Sequence, residues 1–87
     1  MKEYVLTNAK LVSYERLNNS VNGNPKYSVV FTGTNKNDEQ ETIKGKTGTD
    51  YSCGYEVTNF SNGHPVNVTY HYTNSGNCIV TLLRAVK

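Results

Sequence analysis

The stretch GTDYSCGYEVTNFSN, residues 48–62, decides how this chain folds. Read with a helical period, Cys53, Val57 and Phe60 stand at i, i+4 and i+7 and share one face. Read with a period of two, Tyr51, Cys53, Tyr55 and Val57 alternate as a strand does. Asp50 or Ser52 is placed to cap a helix, whereas Gly54 weakens one by about 1 kcal/mol relative to Ala. The helical reading predicts one to two turns within residues 50–60. It makes the chain three strands, a short helix and two strands, and a strand in its place changes the topology.

On the C-terminal side, Asn62-Gly63 is a turn signal that opens a clear hairpin. Val66, Val68, Tyr70 and Tyr72 alternate with Asn67, Thr69, His71 and Thr73, and Asn74-Ser75-Gly76-Asn77 makes the turn. Residues 78–86 return as a strand with Val80, Leu82 and Val86 against Ile79, Leu83 and Ala85. A strand apolar on both faces belongs in the middle of a sheet. On the N-terminal side, residues 41–47 carry one strong hydrophobe, Ile43, and read as an edge strand guarded by Lys44 and Lys46. A polar loop at 33–40 precedes it, and residues 26–33 form a strand with Tyr27, Val29 and Phe31 facing inward.

Residues 18–25 are a dense turn cluster in which Asn22-Gly23 supplies positive φ and Pro25 cannot donate to a ladder. Before it, residues 3–17 form a long first strand. Tyr4, Leu6, Val12 and Tyr14 share one parity, and Val5, Ala9 and Leu11 take the other. The change near Asn8-Ala9 predicts a bulge or a sharp bend, which a long strand needs in order to close a small barrel.

Composition agrees with a β domain. Hydrophobic residues are 36% of the chain and mean hydropathy is -0.61, low enough to raise the question of disorder. Val, Thr and seven Tyr answer it, since these types suit a pleated, half-buried surface. A formal net charge of +2 is too small to expand the chain. One domain over residues 1–87 is expected. Nothing near the ~18 apolar residues of a membrane helix occurs, and the N-terminus has no apolar signal-peptide core. The expectation is a cytoplasmic protein with no membrane association and two reduced thiols, Cys53 and Cys78. In that setting the glycosylation-type triplets Asn18-Asn19-Ser20 and Asn67-Val68-Thr69 carry no meaning. Cys53 reads as a small buried hydrophobe, and Cys78, beside a turn, as partly exposed.

The element order resembles the oligonucleotide/oligosaccharide-binding (OB) fold, a five-stranded Greek-key barrel with a helix between its third and fourth strands. The fold class expected is all-β: a five-stranded antiparallel OB-like barrel, with an SH3-like barrel as the nearest alternative. Ser20-Val21-Asn22-Gly23-Asn24-Pro25-Lys26-Tyr27 also resembles a recurrent element of small bacterial and mobile-element proteins, which implies no activity.

Chemical motifs are few. Gly45-Lys46-Thr47 matches the end of a phosphate-binding P-loop, but the Gly required five residues earlier is Gln40 and no helix follows. Cys53, Cys78, His64 and His71 lack paired metal-ligand spacing, and the two His differ by an odd number, so on one strand they face opposite ways. No nucleophile and base stand in a recognisable catalytic arrangement. No catalytic residue, metal or cofactor is therefore assigned. The tyrosines are the suggestive feature. Rings interleaved with cations are what single-stranded DNA or RNA needs, with bases stacking at about 1–3 kcal/mol each while cations track the phosphates. If the first three strands form the binding face, Arg16, Lys26, Lys44 and Lys46 line a groove near Tyr51, and Tyr14, His71 and Tyr72 flank it. Glu15 and Glu41 intrude on that groove. The alternative expectation is a protein-interaction or inhibitor module, a monomer or weak homodimer, using an open strand edge or a Tyr-rich patch.

Overall fold

Leu6 and Ala9 are both fully buried although they stand three positions apart, which a regular strand does not allow. The intervening Asn8 takes a φ of 49°, the left-handed conformation that Asn tolerates better than most residues. The computed structural model, which describes residues 2–17, 26–48 and 52–86, thus places a bulge where the parity changes. Strand β1 (Tyr4–Arg16) pairs with β4 (Val66–Tyr72) through Tyr4–Ala9 and with β2 (Tyr27–Thr34) mainly beyond Lys10. Its ladders slip at Leu6/Ala9 on one side and at Thr7/Lys10 and Leu11/Ser13 on the other. Gly33 makes the corner possible, because a Cβ there would sit 2.8 Å from both the Cα and Cβ of Ala9.

Strand β2 alternates as expected, with Tyr27, Val29 and Phe31 buried. Strand β3 (Gln40–Thr47) pairs with β2 along its whole length, from Thr34↔Gln40 to Ser28↔Lys46. Strand β5 (Cys78–Ala85) lies between β3 and β4, the central place its two apolar faces predict. The strand order β1-β2-β3-β5-β4 closes on itself, a barrel that is OB-like in topology. Two expectations change here. The closing pair β3–β5 is parallel, whereas every other pair is antiparallel. A ring of five strands cannot alternate direction all the way round, so one parallel pair is unavoidable. Strand β3 is also only partly an edge. Lys46 and Thr47 pair with Ile79 and Val80, and among the described residues Gln40–Gly45 has no strand partner on that side. Gly45 admits the start of β5, since a Cβ there would meet the Cys78 carbonyl oxygen at 2.7 Å.

The deciding stretch is helical, but not α-helical. Ser52–Phe60 is a 3₁₀ helix of nine residues, longer than such helices usually run. From residue 54 onward, Gly54, Val57 and Phe60 are buried. They recur every three residues, the 3₁₀ period, and include Val57 and Phe60 of the expected stripe. The side chain of Cys53, the capping role of Asp50 or Ser52, and Tyr51 lie outside the described residues, as do the turn cluster at 18–25 and most of the Ser20–Tyr27 element. The helix ends where Gly63, at a φ of 87°, donates its N–H to the Phe60 carbonyl at 3.3 Å. Val57 and Phe60 join the barrel core with Leu6, Val29, Phe31 and Val80. Cys78 is buried, at 7% exposure, where partial exposure was expected. It heads a strand whose first residue already faces inward. Among the described residues no helix is long and apolar enough to cross a membrane.

Candidate functional site

The register of β2, β3, β5 and β4 assembles the outer surface of the barrel. Ser28 lies opposite Lys46, Lys46 opposite Ile79, and Ile79 opposite His71. At a strand spacing of about 4.8 Å, Lys46 and His71 are two strands, roughly 10 Å, apart. Lys44 stands two residues before Lys46 on the same face, opposite Val30. Both lysines are exposed and His71 is half-buried. Thr32, between them and the β1 side, accepts hydrogen bonds from Thr42 at 3.2 Å and from Gln40 Nε2 at 3.3 Å. This face is polar and cationic. Glu15, opposite Ser28, is the carboxylate in its row.

Tyr14 and Arg16 are not on it. They lie opposite Val29 and Tyr27, two inward-facing residues, and continue the inner side of the β1–β2 ribbon past the barrel. The Arg16 guanidinium lies 5.3 Å from the Tyr27 ring centre, and its Nη1 donates to the Tyr27 hydroxyl at 3.3 Å. Tyr14 meets Tyr27 edge-on at 5.8 Å and is 44% exposed. Half-buried Lys26 holds the ribbon shut through its carbonyl, which accepts from the Leu17 N–H at 2.8 Å. Thr47, the last residue of the P-loop-like triplet, has a structural role. Its buried hydroxyl accepts the Tyr27 N–H at 3.0 Å.

Tyr72 belongs to a third place, the barrel end where β1 and β5 begin and β4 finishes. There Tyr4 stacks on Tyr70 at 5.6 Å, and Tyr72, 45% exposed, meets both rings edge-on at 5.7 and 5.9 Å. The Tyr70 hydroxyl donates to Glu41 Oε2 at 2.8 Å. Burial first, and the Glu41 carboxylate second, push the Tyr70 phenol well above its ordinary value. Burial likewise raises Tyr72 and the Cys78 thiol, so Cys78 is held protonated and unreactive. Glu41 therefore does not intrude on the outer groove. It lies opposite Gly33 in the ladder and shares the inward parity of Ile43. That parity was the signal in the sequence, and a carboxylate on the inward side of a strand marks a site that reading by charge alone overlooks.

Of the residues named from sequence, the fold thus gathers Lys44, Lys46 and His71, sets Tyr14, Arg16 and Lys26 at one ribbon end, and puts Tyr72 at the opposite barrel end. Among the described residues no three His, Cys, Asp or Glu side chains gather to hold a metal ion. Comparison with protein-family models, with curated proteins and with solved structures finds no match to this chain.

Proposed function

We propose that the chain is a non-catalytic binding module that holds single-stranded nucleic acid across the outer face of β2 and β3. The observation that carries the reading is the pair Lys44 and Lys46, side by side on the outside of an OB-like barrel, with hydroxyl-bearing Ser28 and Thr32 beside them. The face of strands 2 and 3 is the one by which OB folds take up oligonucleotides. The lysines would neutralise phosphates, and the exposed rings Tyr14 and Tyr72 would offer stacking surfaces beyond the two ends of the face. Fluorescence anisotropy with labelled DNA and RNA 15-mers at low and physiological salt tests this. Binding should weaken with salt, and K44A/K46A should weaken it further and lower the salt slope by about 1.4, the value for two single-strand phosphate contacts. Salt-independent binding, no binding at low salt, or an unaffected double variant overturns the reading.

One observation favours a second reading, a protein-interaction surface. On the outer side of β1, β4 and β5, Val5 lies opposite Thr69 and Thr69 opposite Leu82, and Val5 and Leu82 are 48% and 40% exposed. This apolar stripe suits contact with a second copy or another protein. Light scattering of the native chain and of L82R distinguishes the cases. A dimer lost in L82R supports the stripe, and a monomer throughout removes self-association.

A further inference from the structure

The barrel end occupied by the tyrosines contains a cavity of about 350 Å³, lined among others by Glu3, Tyr4, Asn35, Lys36, Glu41 and Tyr70. That is the lower end of the size range of small-ligand sites. Its frame is built by Asn35. The Asn35 side-chain oxygen accepts the N–H groups of Asn37 at 2.9 Å and Glu39 at 3.1 Å, and its backbone N–H donates to the Glu39 carbonyl at 2.9 Å. Its amide nitrogen then donates to Glu41 Oε1 at 3.4 Å. Glu41 is half-buried, and both its oxygens are held by neutral donors, Asn35 on one and Tyr70 on the other. Among the described residues no Lys or Arg forms an ion pair with it.

Held by neutral donors alone among the described residues, this carboxylate is open to a cationic partner. The walls beside it are the tyrosine pair Tyr4 and Tyr70. Tyrosine rings attract cations through their negative faces, and Tyr4 already does so, with Lys2 Nζ 5.2 Å from its centre. Glu3 lines the same cavity, and Asp38 and Glu39 lie in the adjoining loop, so carboxylates outnumber the ammonium groups of Lys2 and Lys36 around it. We propose that this cavity is a binding site for an alkylammonium or guanidinium group. Glu41 would supply the charge, Tyr4 and Tyr70 the aromatic wall, and the Asn35-ordered loop the rim. The site is separate from the outer face of β2 and β3 and stands whether or not that face binds nucleic acid.

The test is a ¹H–¹⁵N NMR titration of the full chain with n-butylammonium and with methylguanidinium chloride at constant ionic strength, with NaCl as the control. Saturable shifts at Val5, Asn35, Lys36 and Glu41, weakened at least tenfold in E41Q, are expected. E41Q keeps an oxygen for Tyr70 and should keep the fold. If it does not, Y4L supplies the test, with a two- to fivefold loss from removing the ring. The peptides Ac-Ala-Lys-Ala-NH₂ and Ac-Ala-Arg-Ala-NH₂ separate the sources of the cation. Tighter binding than the free cations points to a side chain of a partner polypeptide, and weaker binding to a free small amine. Linear shifts that NaCl reproduces, or saturable shifts unchanged in E41Q and Y4L, overturn the proposal.

Discussion

The two ends of the barrel are closed by different chemistry. Where β3 finishes and β4 begins, a 3₁₀ helix contributes Val57, 0% exposed, and Phe60, 5% exposed, two side chains with no polar atom to satisfy. Where β3 begins and β4 finishes, among the described residues no helix intervenes, and the closure falls to Tyr4, Tyr70 and Tyr72. A tyrosine has an apolar body and a hydroxyl that needs a partner when buried. Tyr70, 2% exposed, therefore brings Glu41 with it, and Glu41 brings Asn35. An apolar plug can pack to the density of the core. A polar one leaves gaps set by its hydrogen-bond geometry, and a cavity of about 350 Å³ lies at that end. Among the described residues the helix end is thus closed by apolar side chains, and the tyrosine end by a hydrogen-bonded network beside a cavity.

The strongest way to break this contrast is to remove the plug. Phe60→Ala should cost about 3–5 kcal/mol, the usual loss for a buried Phe that leaves a cavity. Small domains have only about 5–15 kcal/mol in total, so urea unfolding should show this variant near the edge of folding. A loss below about 1 kcal/mol would show that the helix does not seal the barrel.

The next test acts on the polar end. Tyr70→Phe keeps the ring and deletes the hydroxyl that donates to Glu41. The expected loss is about 1–2 kcal/mol, below that of a fully buried charged hydrogen bond because Glu41 still meets water and Asn35. The pH dependence gives a sharper signature. The Tyr70 phenol is raised in the folded chain, so its contribution is fully present below pH about 10, where the unfolded phenol titrates. Above that, the unfolded chain ionises while the folded chain does not. Stability then falls by about 1.4 kcal/mol per pH unit from this residue. Between pH 10 and 11, where the unfolded phenol goes from half to mostly ionised, the native chain should lose about 1 kcal/mol more than Tyr70→Phe, and parallel curves would break the assignment.

The two ends also differed in how far they could be read in advance. Strand periodicity exposed β2, β4 and the bend at Asn8, because each rests on a residue's neighbours in sequence. The helix was legible as a helix but not as its type. Its three-residue stripe includes Gly54, which has no side chain to announce a buried position. The barrel closure rests on a count of strands, and an odd ring alone implies the parallel β3–β5 pair. The tyrosine cluster was visible as composition only. Tyr4, Glu41 and Tyr70 are far apart in the chain, and closing the ring is what makes them neighbours. The same closure divided the proposed groove, because Tyr14 and Arg16 follow the inner side of their strand while Lys44 and Lys46 follow the outer.

The smallest test compares one tyrosine at each end. Tyr14 and Tyr72 are almost equally exposed, at 44% and 45%, so replacing either by Leu changes the area in water by a similar amount. Their ring contacts differ. Among the described residues Tyr14 meets Tyr27 alone, whereas Tyr72 meets both Tyr4 and Tyr70 edge-on. Each edge-to-face contact contributes about 0.5 kcal/mol at a half-exposed site, the lower end of the usual range. Tyr14→Leu should therefore cost about 0.5 kcal/mol and Tyr72→Leu about 1. With a urea slope near 1 kcal/mol/M for a small chain, the two midpoints should differ by about 0.5 M, Tyr72→Leu unfolding first. Equal midpoints would mean that Tyr72 adds no closure of its own, and that Tyr4, Tyr70 and Glu41 hold that end without it.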